Sequence, residues 1–185
     1  MNLYARVRNI LVQPEREWPA IAAEPTDLAA LYRDYILMLA AIPAVCLFLG
    51  LAVLGAPYIG RFALSGALSG AILLYVRTLI GVLIAAFIIG KLAPTFNSSG
   101  DTAQALKVVA YAYTPVWLAG VFRLSWALST PATLIASLYA IYLFYLGLAP
   151  VMQTPTDRIV PYMLVSAMAI FIVNFLIVTF VRGMP

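Results

Sequence analysis

Between Asp34 and Asp157 only six side chains carry charge, namely Arg61, Arg77, Lys91, Asp101, Lys107 and Arg123, and the stretches between them are almost wholly apolar. With 64% hydrophobic and 10% charged residues, such a chain cannot keep its apolar surface out of water as a soluble globule. A helix needs about 20 apolar residues to cross a bilayer, so 185 residues hold one membrane domain of about four to six crossings. Lipid offers the backbone no hydrogen bonds, so each crossing must satisfy its own, and helices do so.

Composition also removes most familiar chemistries. Histidine is absent and Cys46 is the single cysteine, which excludes histidine acid/base catalysis, haem held by two histidines, His/Cys zinc sites and an intramolecular disulfide. No metal or cofactor is expected. No acidic pair lies within the apolar blocks, and nothing brings Lys91 or Lys107 towards a serine nucleophile, so an enzyme is not expected either. The net charge of +4 is small and scattered, which argues against nucleic acid as a partner. Pro14, Glu15, Arg16, Glu17 and Pro19 interrupt the first stretch before a signal-peptide core can form, so the N-terminus is expected to be retained.

Residues 1–27 read as an amphipathic interfacial segment. On a helical wheel Leu3, Tyr4, Val7, Ile10 and Leu11 share one arc, with Asn2, Arg6, Arg8 and Asn9 opposite. Pro14 suits a new helix start, with Glu15 and Glu17 in its first turn. Trp18 and Ile21 are then available to dip among headgroups. Trp18, Arg6 and Arg8 are the expected interfacial anchors.

Residues 28–185 read as a five-span membrane domain. Thr26 and Asp27 offer capping oxygens ahead of a first span from about Leu28 or Tyr35 to Ala56. The second, from Leu68 to Gly90, contains 13 Leu, Ile, Val or Phe residues. These contribute about −5 kcal/mol to insertion against about +3 kcal/mol for Arg77. A polar turn, Asn97 to Asp101, leads to a third span ending near Leu124 and kinked at Pro115. A fourth follows Ser129–Thr130–Pro131 and runs to Met152, and a fifth runs from Ile159 to Val181. The fold expected is an all-α polytopic helix bundle with five transmembrane helices and an N-terminal interfacial helix. An inside N-terminus puts Arg6, Arg8, Arg16, Arg33, Lys91, Lys107 and Arg158 on the cytoplasmic side, which the positive-inside rule favours.

The third span carries Ala110-Tyr111-Ala112-Tyr113-Thr114-Pro115. This resembles the Gly-Tyr-x-x-x-Pro signature of the Ypt/Rab-interacting (Yip) domain family, with alanine in place of the glycine. The pattern Ile10-Leu11, Pro14, Trp18 and Ile21, and the polar turn before Gln104-Ala105-Leu106-Lys107, resemble bacterial members across nearly the whole chain. The resemblance marks Tyr111 and Pro115 as family-motif residues. It implies a multispan protein of the bacterial inner membrane with no established reaction. Eukaryotic relatives are associated with Rab GTPases, but the acidic Asp-Leu-Tyr-Gly-Pro element they carry ahead of the membrane domain is missing here, so that role does not transfer.

All seven acidic residues, Glu15, Glu17, Glu24, Asp27, Asp34, Asp101 and Asp157, fall in the N-terminal segment or in expected cytoplasmic turns. Arg77, Arg123 and Arg61 therefore lack an obvious ion-pair partner in the outer half. They are candidates to bind a lipid phosphate or a partner's carboxylate. The competing reading is that each snorkels or bonds to kink carbonyls, with Tyr75 or nearby aromatics covering the aliphatic stem. Ser65, Gly66, Ser69 and Gly70 form two small-x-x-x-small pairs, expected to serve packing within the chain ahead of dimerisation. Tyr139, Tyr142 and Tyr145 recur at three-residue steps and either line a polar cavity or pack with their hydroxyls on carbonyls.

Two function classes remain open. The first is a non-catalytic scaffold, accessory subunit or interaction partner, with membrane lipids, including anionic ones, and a membrane protein as partners. The alternative is a small transporter, channel or lipid-handling protein for an anionic or amphipathic solute, with Arg77 and the tyrosines along the path.

Overall fold

The computed structural model describes residues 2–25, 27–54, 64–99 and 101–182, and all regular structure among them is helical. Helix α1 (Leu3–Val12) starts where the Asn2 side chain accepts the Ala5 N–H at 3.2 Å. Helix α2 (Pro14–Ala23) starts on Pro14, whose missing N–H is no loss in a first turn. Asp27 accepts the Ala30 N–H at 3.0 Å and opens α3 (Leu28–Leu31), which continues through a π turn into α4 (Leu37–Leu49) and a second π turn. Together these make one rod, Leu28–Leu54. Next come α5 (Leu64–Leu92), α6 (Thr102–Ala112), α7 (Thr114–Ala119) with a 3-10 turn to Leu124, α8 (Trp126–Met152) and α9 (Ile159–Arg182). Asp101 caps α6 by accepting the Ala103 N–H at 2.8 Å.

Four rods among the described residues are long and apolar enough to cross a membrane: Leu28–Leu54, Leu64–Phe96, Thr102–Leu124 and Ala127–Met152. The apolar stretch described in α9, Ile159–Val173, is shorter. The third rod is the axis of the bundle. In its most apolar window 72% of residues are buried, against 17–33% in the other three. Helices α5 and α8 flank α6, α4 and α8 close on α7, and α9 rides on α5.

Small residues set these distances, because in lipid the attraction between helices is packing rather than water exclusion. Ala67, Ala71, Ala86 and Gly90 form the buried face of α5. A Cβ on Gly90 would stand 2.9 Å from the Thr102 Cα, and one on Gly120 would stand 2.5–2.9 Å from Pro43. The outer surface is apolar, with Leu73, Ile135, Leu138, Leu164 and Phe171 all exposed, as a lipid-facing surface requires.

Two expectations change in this packing. Pro115 does not kink a continuous helix. The chain leaves α6 at Ala112, turns at Tyr113 and restarts at Thr114, so that Pro115 lies in the first turn of α7. There its lack of an N–H costs nothing, and the Val116 and Trp117 N–H groups share the Tyr113 carbonyl at 3.0 and 3.2 Å. The small pairs of α5 do not serve packing among the described residues either. Ser65, Gly66 and Ser69 are exposed, and a Cβ on Gly70 would meet nothing within 4 Å. The buried face is the neighbouring one, through Ala67 and Ala71.

The turns after α5 and after α8 touch. The Ser99 N–H reaches the Met152 carbonyl at 2.8 Å, and the Ser98 and Thr154 hydroxyls are 2.8 Å apart. Both turns therefore lie at one end of the bundle, close to where α2 is held.

Candidate functional site

The largest group of buried polar side chains lies where the α1–α2 hairpin meets the third rod. Arg6 and Ile10 stand one helical turn apart on α1, and both are buried. Trp18 and Ile21 of α2 are buried as well, at 1% and 0% exposure. The hairpin thus turns its apolar face onto the bundle, not towards headgroups, and Trp18 lies against α8, where a Cβ on Gly147 would stand 2.7 Å from the indole ring. The indole fills a notch that only glycine leaves open. Of the three residues expected as interfacial anchors, Trp18 and Arg6 are interior and Arg8 is exposed.

Charge explains why Arg6 can be inside. Glu17 and Glu24 are seven residues apart, two helical turns, and the tight turn at Gln13–Pro14 sets α1 beside them. The Arg6 Nη1 donates to the Glu17 carboxylate at 2.5 Å, and Nη2 donates to the Glu24 carboxylate. Burial works against the Arg6 charge, but the hydrogen bond and charge of Glu24, aided by Tyr111 and Glu17, hold its pKa above the ordinary arginine value. From α6, the buried Lys107 sends its Nζ to the Glu24 carbonyl at 2.6 Å and the Ile21 carbonyl at 3.2 Å. A lysine of the third rod thereby caps the open end of α2, where carbonyls and helix dipole favour a cation.

Tyr111 is the centre of this cluster. The Arg6 guanidinium lies 5.7 Å from its ring centroid, within cation–π range. Trp18 meets it edge-on at 6.3 Å, and Tyr35 of the first rod at 4.7 Å. The Tyr35 hydroxyl is 2.6 Å from the Thr114 Oγ1 at the break. The segment Tyr111 to Pro115 therefore joins three parts, the hairpin, the first rod and the restarted helix. Among the described residues no three His, Cys, Asp or Glu side chains gather as a metal site.

The other arginines stand apart from the cluster. Arg77 is exposed near the middle of α5, with Tyr113 in electrostatic reach and no hydrogen bond or ion pair among the described residues. The neighbouring Tyr75 donates its hydroxyl to the Leu37 carbonyl at 3.0 Å. Arg123 is half-buried, and its Nε is enclosed without a hydrogen-bond partner among the described residues. Arg61 lies outside the described residues. Of the three tyrosines, Tyr139 donates to the Leu11 carbonyl at 2.7 Å, whereas Tyr142 and Tyr145 are exposed. Tyr139 and Tyr142 border an open cleft of about 550 Å³ at the hairpin elbow, with Gln13, Glu15 and Arg16 on its other side.

Reading the sequence alone missed Arg6, Glu17, Glu24, Lys107 and Tyr35 as members of one site. The available signal was the i, i+7 pair of glutamates facing an arginine across a proline turn.

The chain is similar to inner membrane protein YohC of Escherichia coli (strain K12), with 28% identity over 151 residues, 78% of this chain and 77% of the relative. Inner membrane protein YohC of Escherichia coli O6:H1 matches to the same extent. No solved structure matches the chain. The model of the Yip1 domain matches residues 8–178, a range that takes in most of the hairpin, the Tyr111 cluster and the rods around it, and the chain belongs to the Yip1 domain family.

Proposed function

We propose that this membrane protein of the Yip family is a non-catalytic scaffold or accessory subunit of the inner membrane, crossing the bilayer five times with its N-terminus in the cytoplasm. One observation carries the reading. Arg77 stands exposed near the middle of a largely apolar helix, with no hydrogen bond or ion pair among the described residues, and at the centre of a span an arginine costs about 2.5–3.5 kcal/mol. A partner that neutralises it offsets that cost. Arg6, Glu17 and Glu24 of the hairpin, by contrast, bond to one another within the molecule.

The five-span count is supported by the 24 residues of α9, about 36 Å of helix, enough for a hydrocarbon core of about 30 Å. The inner-membrane assignment is supported by the name of the YohC relative. The orientation is supported by the hairpin and the turns after α5 and α8 lying at one end, which gathers most of the lysines and arginines on one side. A solute path along Arg77 and the α8 tyrosines fits less well, because Arg77, Tyr142 and Tyr145 are exposed at the periphery.

Native mass spectrometry of the chain, released gently from its own membrane, tests the proposal. A retained second polypeptide is expected. A lone chain carrying anionic lipid would move the weight to lipid handling.

A further inference from the structure

We propose that the cleft at the hairpin elbow binds the headgroup of a zwitterionic phospholipid, with its phosphate on Arg16 and a primary ammonium on Glu15 beside the Tyr139 and Tyr142 rings. The inference goes beyond the scaffold reading and does not rest on it.

The cleft lies between the start of α2 and the middle of α8, and the bond from Tyr139 to the Leu11 carbonyl ties its walls together. Its volume of about 550 Å³ is within the range of small-ligand sites, about 300–1,000 Å³. The other carboxylates of the hairpin are committed to Arg6. Glu15 and Arg16 are different. They are neighbours in α2, yet neither makes an ion pair or side-chain hydrogen bond among the described residues, and the same holds for the Tyr142 hydroxyl. Free groups of both signs thus border one cavity. A plain anion there would meet the Glu15 carboxylate, and a plain cation would meet Arg16. A headgroup with both charges satisfies both, the guanidinium fork taking the phosphate oxygens. The acceptors then separate two kinds of zwitterion. The Glu15 carboxylate, the Gln13 amide oxygen and the Tyr142 hydroxyl all accept hydrogen bonds, and a primary ammonium has three donors where a quaternary one has none. The Tyr139 and Tyr142 ring centroids are 5.8 Å apart, and aromatic faces attract the cation further.

The surface beside the cleft makes a lipid the source of that headgroup. At 100° per residue, Ile135, Leu138 and Tyr142 fall within about 60° of arc, and Ile135 and Leu138 are both 69% exposed. This apolar row leads out of the cleft, away from the end where α8 meets the turn after α5. The acyl chains of the leaflet at that end run the same way. The level fits as well. Arg8, Asn9, Glu15 and Arg16 are all exposed around the elbow, which places it among headgroups, because exposed charges are costly in hydrocarbon. From Tyr142 back to Trp126 are 16 residues of α8, about 24 Å, most of a hydrocarbon core of about 30 Å. The ten residues from Tyr142 on to Met152 rise past the elbow towards water.

The test is native mass spectrometry of the full chain released from vesicles of equal parts phosphatidylethanolamine, phosphatidylcholine and phosphatidylglycerol. The expected result is one retained phosphatidylethanolamine per chain, preferred about tenfold over either other lipid, which corresponds to about 1.4 kcal/mol. Arg16→Gln should remove the adduct. Glu15→Gln should shift the preference towards phosphatidylglycerol, since it takes away the partner of the ammonium. Arg8→Gln, exposed on α1 but outside the cleft, should change neither. Equal thermal midpoints of the three variants check that the fold is kept, as substitutions at exposed positions should leave it. Retention of all three lipids alike, an adduct indifferent to both Arg16→Gln and Glu15→Gln, or no retained lipid would each overturn the proposal. Full displacement of the lipid by excess soluble phosphoethanolamine would overturn it too, because the headgroup alone would then suffice.

Discussion

The Lys107 ammonium donates to the Glu24 carbonyl across 2.6 Å, so a side chain of the most buried rod closes the last turn of a helix at the edge of the bundle. Hydrogen bonds from a charged donor are worth about 1.5–3 kcal/mol each, and freed carbonyls at this edge can take up water. Lys107→Met should therefore cost about 2–3 kcal/mol of hairpin docking. The expected sign is protease cleavage within residues 1–27 while the rods stay protected. An unchanged cleavage pattern would show that the cap is not what holds α2.

Arg6→Ala should loosen the same hairpin by about 2–3 kcal/mol, at or just below the usual cost of breaking a buried pair, because Glu24 remains about half exposed. Arg8→Ala, at an exposed position, should stay within about 0.5 kcal/mol. The Arg6 pKa is raised in the folded chain. Its contribution is therefore complete below the unfolded arginine value and is lost only as pH rises through the still higher folded one. Thermal unfolding from neutrality to about pH 11 should show no step that Arg6→Ala removes.

Gly120 and Gly70 make a matched pair of probes. A Cβ on Gly120 would enter the Pro43 backbone at 2.7–2.9 Å, whereas one on Gly70 would meet nothing. Gly120→Ala should cost about 3 kcal/mol, the upper end for overpacking, because the obstacle is main chain. Gly70→Ala should be neutral or stabilising by up to about 1 kcal/mol from helix propensity. Thermal unfolding of the purified proteins in one detergent compares the two, and equal midpoints would contradict the tight α4–α7 crossing.

Arg77→Leu should make the isolated chain more stable by up to about 2–3 kcal/mol, since it removes an unpaired charge from a lipid-facing position. The gain should be smaller in the native membrane if a partner already satisfies the arginine. Comparing unfolding midpoints of wild type and variant in lipid nanodiscs checks the first part. A loss of stability would mean that Arg77 makes a structural contact within the chain.

Orientation can be read by cysteine labelling in a Cys46→Ser background. Cysteines at Asn9, Ser98 and Thr156 should react with an impermeant maleimide only after the cytoplasmic side is opened. The shared fate of the last two follows from the Ser99–Met152 and Ser98–Thr154 bonds. Labelling of Ser98 and Thr156 from opposite sides would contradict that packing.

Much of the fold was legible in the chain because lipid permits so few solutions. Long apolar blocks bounded by Asp27, by the turn at Asn97 to Asp101 and by Thr154 to Asp157 leave little choice but helices at those positions. The cap at Asp27 is local chemistry, and a local reading recovers it. The family motif at Tyr111 and Pro115 was visible for the same reason.

What the sequence by itself determined, then, is that this chain is a helical membrane protein and where most of its rods start and stop; the turn expected at Ser129–Thr130–Pro131 lies instead inside α8, which begins at Trp126. Only the tertiary structure decided which surfaces are inside. A helical wheel treats Arg6 as polar and so as outward, yet two glutamates and an aromatic ring from other elements make the interior the better place for its charge. Pro115 reads as a kink within one helix, whereas the chain turns at Tyr113 and places Pro115 in the first turn of α7. The small residues of α5 look alike on both faces, and only the neighbours present or absent distinguish a packed face from an open one. Periodicity is a property of one segment, but burial is a property of pairs of segments, and their crossing is settled by contacts far apart in sequence.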